Sequence, residues 1–216
     1  MKLSEHKIIK TLNVLATIAL VVYVIGLIAQ LFTSSSPSIS KAIKSYEVHN
    51  IRLEGTQDFA KPGELLKSWF KDNVVVRESN NAVVYLRFRN THELFSMPAL
   101  LFQFVYFSYW LFIGILIFNL KMFFASLRKD EIFITKNVYR INIVGFILLL
   151  LPLGRWLMQE LFINCISSLK LNDSGYVLTN GALLSGTETY CGLIIIALAL
   201  AFKVGVDIKQ ENELFV

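Results

Sequence analysis

Apolar and polar positions are distributed along this chain on two scales. On the long scale, four apolar stretches recur. A hydrocarbon layer roughly 30 Å thick takes about 20 helical residues to cross. The first stretch, Thr11 to Phe32, holds no charged residue, and the second, Met97 to Phe124, is rich in phenylalanine and interrupted only by Lys121. The third runs from Ile141 to Ile163 and carries Arg155 and Glu160, and the fourth runs from Leu183 to Lys203 with Glu188 near its start. Each stretch is read as a membrane-crossing helix.

On the short scale, the region between the first two helices opens with a Ser/Pro linker, SSSPSIS, and then alternates. YEVHNIRLEG has the period of two expected of a strand, and GELLKSWFKD has an apolar pattern suited to a short helix. NVVVRE and AVVYLRFRN read as two strands around the turn-prone Ser79-Asn80-Asn81, with Val84, Leu86 and Phe88 on one face and Tyr85, Arg87 and Arg89 on the other. The fold predicted is a mainly α membrane protein of four transmembrane helices, with a small α/β insertion between helices one and two. The organisation is residues 1–32 for the N-terminus and helix one, 33–96 for the α/β domain, and 97–124 for helix two. Residues 125–140 form a loop and short interfacial helix, 141–165 helix three, 166–182 a second loop, 183–203 helix four and 204–216 a helical tail.

Composition supports the membrane reading. Of 216 residues 55% are hydrophobic and 17% charged, against roughly 45–50% and about 25% in soluble domains. Mean hydropathy is +0.56. The first apolar run is longer than a signal-peptide core and lacks a strong cleavage site, so it is read as a retained anchor. The net charge of +5 is not a nucleic-acid signal, because basic residues flanking membrane helices set orientation and are counted loop by loop. The N-terminus has Lys2, Lys7 and Lys10, and the connection between helices two and three has Lys121, Arg128, Lys129, Lys136 and Arg140. The connection between helices three and four has only Lys170. Both termini and the 121–140 loop are therefore predicted to be cytoplasmic (N-in, C-in), and the insertion extracytoplasmic.

Candidate chemistry is sparse. No GxGxxG, GxxxxGK[ST], HExxH or CxxC occurs, and His6, His49 and His92 fall on both sides of the predicted membrane. An enzyme is not expected, and neither a cofactor nor a metal is assigned. Cys165 and Cys191 fall near the outer ends of helices three and four, where a bridge is conceivable but apolar packing is the simpler reading. Charges at membrane depth are costly and mark function by default. Arg155 and Glu188 are read as a pair in which Arg155 snorkels outward beside Trp156, with a polar pathway as the alternative. Pro152 and Gly154 are candidate breakers of helix three.

The stretch RKDEIFITKNVYRINIVG offers Asp130 and Thr135 as helix N-caps, with Ile134, Val138, Ile141 and Gly145 on one stripe. In the tail, Phe202, Gly205, Ile208 and Asn212 recur at helical spacing, so helix four is expected to continue about two turns beyond the membrane. A glycine inside such a helix costs about 1 kcal/mol relative to alanine. It makes sense where another backbone approaches, and the 133–140 segment is the candidate. The expectation is a clasp between these two segments, serving either the fold or a docking partner.

These two stretches together resemble a bacterial membrane-protein family called domain of unknown function 2975. The matching positions are Phe133, Asn137, Val138, Arg140 and Gly145, then Phe202, Gly205, Ile208, Glu211, Asn212, Glu213, Leu214 and Val216. Phe215 stands where the family usually has threonine, so no role is carried over for that hydroxyl. The resemblance implies four helices in a bacterial cytoplasmic (inner) membrane with no established activity. It also implies gene neighbourhood with a small helix-turn-helix transcription regulator. Three readings follow. One is a non-enzymatic regulatory or scaffold protein that lies in the lipid bilayer, engages such a regulator and does not itself bind nucleic acid. The second is a transporter or channel component using Arg155 and Glu188. The third is a sensor of an external ligand or envelope stress acting through residues 33–96.

Overall fold

The computed structural model describes residues 7–32, 44–55, 81–88, 90–171 and 176–214. In chain order the elements are α1 (Lys7–Phe32), β1 (Lys44–Gly55), β2 (Asn81–Phe88), α2 (Thr91–Leu94), α3 (Met97–Leu127), α4 (Thr135–Ser168), β3 (Tyr176–Asn180) and α5 (Thr187–Leu214). The predicted helix GELLKSWFKD, the strand NVVVRE, the Ser/Pro linker and Phe215-Val216 lie outside the described residues.

Four of these helices are long and apolar enough to cross a membrane: α1, α3, α4 and α5. On α1, Leu12, Leu15, Val21, Val24 and Ile25 are all exposed, and at 3.6 residues per turn they span about two thirds of the helix circumference. So wide an apolar surface has no place in water but suits a lipid-facing span. The predicted interfacial helix and helix three form one continuous α4 of 34 residues, with the fully buried Pro152 inside it. At 1.5 Å per residue α4 is about 50 Å long, well beyond one hydrocarbon thickness.

The chain divides into two compact units. The first, helical unit gathers α1, α3 from Gln103, α4 as far as Arg155, and α5. Lipid offers no hydrophobic drive for helices to associate, so close packing at small residues must do it. Gly145 of α4 and Gly192 of α5 face each other. A methyl group on Gly192 would fall 2.7 Å from the Gly145 carbonyl oxygen and 2.7 Å from the Leu149 nitrogen. A methyl on Gly145 would fall 2.6 Å from Ile196 Cγ1 and 3.1 Å from the Gly192 oxygen. Backbone meets backbone here. On the other side, the Tyr23 hydroxyl donates to the Trp110 carbonyl, and its ring lies over Gly114.

The second unit holds the sheet, the first turns of α3 and α4 from Trp156 onward. Its strand order is β2-β1-β3, antiparallel throughout, so the third strand comes from the connection between α4 and α5. The sequence reading leaves that connection as a plain loop, because five residues of YVLTN carry too short an alternation to stand out. Tyr46 and Val48 on β1 are buried, and strict alternation would next bury Asn50. Instead the register shifts between Val48 and Ile51, with Asn50 at φ 60, and Ile51 takes the buried place. One bulge thus resets the phase of the strand. On β2, Leu86 and Phe88 are buried while Tyr85 and Arg87 are exposed, as the alternation predicts. Tyr46 packs edge-on to Phe88 and Phe102, and Phe102 to Phe162, which joins the sheet to α3 and α4 inside this unit. On the opposite face Glu47 approaches His49 at 3.2 Å, and its charge pushes the Tyr85 phenol above its ordinary value.

The core of this unit is closed by an amide. Gln159, 1% exposed, donates from Nε2 to the His49 carbonyl at 2.9 Å. Its Oε1 accepts from Gly181 N at 3.1 Å and Ala182 N at 2.9 Å. Asn180 adds a bond from Nδ2 to the Trp156 carbonyl at 2.9 Å. The bulge, the end of β3 and α4 are thereby pinned at one point.

Candidate functional site

The site is assembled from the turn between α3 and α4 and the far end of α5, all within the helical unit. α3 ends in a Schellman arrangement: Glu131 N bonds the Ser126 oxygen at 3.2 Å and Asp130 N bonds the Leu127 oxygen at 3.1 Å, with Asp130 at φ 61. Asp130 therefore stops α3 and is not an N-cap of the next helix. α4 begins at Thr135.

Beyond that stop the chain turns on side-chain bonds. Ser126 Oγ donates to the Glu131 carbonyl at 2.9 Å, and Asn137 Nδ2 donates to the same oxygen at 2.7 Å and to Ile132 O at 3.0 Å. Arg140 Nη1 donates to Asn137 Oδ1 at 3.0 Å and to the Met122 carbonyl at 3.2 Å. Asn137 is completely buried, and its amide makes bonds at both ends, so the cost of burying a polar group is met. Two of the candidate residues, Asn137 and Arg140, thus form the turn's internal frame. Val138 is half-buried beside them.

The turn presents Phe133 to α5. The Phe133 ring lies on Gly205, where an added methyl would fall 2.6 Å from its Cδ1 and Cε1. Phe202 packs against Phe133 in a tilted pair with centroids 5.8 Å apart and meets Phe123 of α3 at 5.9 Å. A three-ring cluster therefore joins α3, the α3–α4 turn and α5, seated on one glycine. Beside it lies a groove of about 720 Å³ lined by Phe133, Gly205, Ile208, Lys209, Asn212 and Glu213. Ile208 is 54% exposed and Leu214 85% exposed, while Lys209 and Glu213 lie 3.7 Å apart. Glu211 is solvent-facing and does not line the groove. Gly145 sits apart from this cluster, in the α4–α5 crossing described above.

Arg155 and Glu188, the other candidates, meet at the opposite end of the same unit. Arg155 Nη2 donates to Glu188 Oε1 at 2.6 Å, with Tyr109 within hydrogen-bonding reach of the guanidinium. About a third of each side chain remains exposed, so the pair is neither buried nor fully solvated. Glu188 lies in the first turn of α5, where Thr189 Oγ1 accepts from Gly186 N at 3.4 Å, and a carboxylate suits that positive helix end. Cys165 and Cys191 are both free thiols, the first buried and the second exposed.

Sequence reasoning misses Ser126, Phe123 and Lys209 at this site and Gly192 at the crossing. Gly192 carries a readable signal, a small residue inside an apolar run, whereas Ser126 and Phe123 look like any residues in a membrane helix.

Four membrane-length helices, a three-stranded sheet and a framed turn clasped to a helical tail define a multi-pass membrane protein. The chain belongs to the family described as Protein of unknown function (DUF2975), which matches residues 79–216. No curated protein and no solved structure is significantly similar to it.

Proposed function

We propose that this protein is a non-enzymatic regulator or scaffold of a bacterial cytoplasmic membrane, with both termini and the α3–α4 turn in the cytoplasm. Its groove beside Phe133 and Gly205 docks a cytoplasmic protein, a small helix-turn-helix transcription regulator. One observation carries the reading. The family-matched residues Phe133, Gly205, Ile208, Asn212 and Glu213 line a single open groove that keeps Ile208 more than half exposed. Structural need alone explains Gly205 and Phe133, which touch, but not the exposed Ile208 set beside the charged Lys209 and Glu213 on the groove wall. The loop charges support the orientation, with five basic residues between 121 and 140 against one, Lys170, between α4 and α5.

The test uses the full chain in nanodiscs and a purified small helix-turn-helix regulator of the kind the family resemblance implies. Saturable binding is expected, and Ile208→Glu should weaken it at least roughly tenfold, about 1.4 kcal/mol. Arg155→Ala should leave it unchanged. Ile208→Glu alters an exposed position, so a loss of binding reports docking rather than unfolding. Equal binding by the wild type and Ile208→Glu, or no binding at all, defeats the proposal. Flux through liposomes that is abolished by Glu188→Gln would establish the transporter reading in its place.

A further inference from the structure

The exposed stripe of α4 changes character along its length. Leu157, Leu153, Leu150 and Phe146 follow one another at three- and four-residue spacing, all exposed, and the stripe then reaches Tyr139, 67% exposed, and Lys136, also exposed. Such a stripe on a membrane helix faces lipid. From Tyr139 to Trp156 the helix rises about 26 Å, close to the depth of a hydrocarbon layer, so an aromatic ring marks each boundary. Lys136 is one turn beyond the tyrosine on that same lipid-facing side. Arg128 and Lys129, both exposed, lie in the turn immediately beyond the end of α3. Across residues 121–140 five basic residues stand against Asp130 and Glu131, a net of three positive charges. Across residues 203–214 the balance is reversed, with Lys203 and Lys209 against Asp207, Glu211 and Glu213. Of these two segments the turn, where the lipid-facing stripe ends, carries the net positive charge, and the groove-bearing tail carries none.

We infer that Lys136, Arg128 and Lys129 hold the headgroups of anionic phospholipids at the α3–α4 turn, with Tyr139 seated at the hydrocarbon boundary beneath them. A basic residue at such a surface contributes roughly a fivefold gain in affinity for anionic lipid, an attraction that fades beyond a Debye length of about 8–10 Å. Phosphatidylglycerol is a sufficient ligand, because the recognition is of phosphodiester charge at membrane depth. The site is separate from the protein-docking groove, whose lining includes none of these three side chains.

The experiment compares thermal unfolding of the full chain in nanodiscs of phosphatidylcholine alone and of phosphatidylcholine mixed with phosphatidylglycerol. Nanodiscs present the same lipid on both leaflets, so the result does not depend on orientation or on the docking proposal. A higher Tm in the anionic discs is expected, reduced by raised salt. The variant Arg128→Ala/Lys129→Ala/Lys136→Ala should melt like wild type in phosphatidylcholine and lose the anionic shift. Its affinity for phosphatidylglycerol in detergent should fall roughly a hundredfold, three successive fivefold losses. Lys136→Arg should behave as wild type. If the triple variant already melts lower in phosphatidylcholine, the detergent titration of Lys136→Glu alone decides. An unchanged shift in the triple variant, no shift in wild type, or the same shift produced by inorganic phosphate would each overturn the assignment.

Discussion

At the scale of single residues, the three glycines that matter are constrained by different neighbours. A methyl on Gly192 meets backbone atoms of α4, the Gly145 oxygen and the Leu149 nitrogen, both at 2.7 Å. Nothing there can rotate aside, and the helices must separate. A methyl on Gly205 meets the ring of Phe133, a side chain at the edge of an open groove. Gly192→Ala is therefore expected to cost about 1–3 kcal/mol, as overpacking does, and Gly205→Ala clearly less. Thermal melting of the two variants in the same detergent checks the order; a Gly205→Ala variant that melts lower than Gly192→Ala contradicts it. The sequence points to Gly205 and Gly145 through their spacing and family match. It marks Gly192 only as a small residue inside an apolar run, because the backbone that requires that glycine is supplied by a remote part of the chain.

At the scale of elements, helix ends are more informative than helix middles. Both α3 and α4 stop in a Schellman arrangement whose left-handed position is not glycine. For α4, Leu171 N bonds Ile166 O at 3.0 Å and Lys170 N bonds Ser167 O at 3.1 Å, with Lys170 at φ 51. A left-handed conformation costs a residue with a Cβ roughly 1–2 kcal/mol. Asp130→Gly and Lys170→Gly should therefore each stabilise the protein by about 1 kcal/mol or slightly less, since glycine also gains freedom when unfolded. Denaturant titration of each single variant is the measurement, and a net loss at both positions would show that the side chains contribute more than the strain removes. These stops mark the limit of what pattern reading yields. Apolar runs of twenty residues announce spans from composition alone. The point where a helix turns depends on which carbonyls find donors, and here those donors are Ser126 and Asn137, polar residues with no distinctive spacing. The continuity of α4 through Pro152 is likewise unreadable, because a proline reports a missing donor but not whether packing tolerates it.

At the scale of the whole molecule, two units share the continuous helices α3 and α4, and a buried amide closes one of them. Gln159→Leu removes three bonds at once and strips the His49 carbonyl and the Gly181 N–H of this partner, while Ala182 N keeps its bond to Asn180 Oδ1 at 3.0 Å. Each unmet buried group costs about 1–3 kcal/mol, so the loss should be large, on the order of 3 kcal/mol or more. Hydrogen exchange read by peptide tells where it falls: amides of Tyr46 to Arg52 and of Gly181-Ala182 should exchange faster, while those around Ala199 in α5 should not. Faster exchange spread equally over both units would mean that the two open as one. The pairing of β1 with β3 carries a consequence for how the chain is made. Ile51 waits for Asn180, and three of the four membrane helices are synthesised before that partner exists. At synthesis rates of about 5–20 residues per second, one side of β1 stays open for roughly ten seconds in every newborn chain. During that interval it is a sticky edge beside other nascent copies, so crowding of ribosomes is a condition that exposes this protein to mispairing.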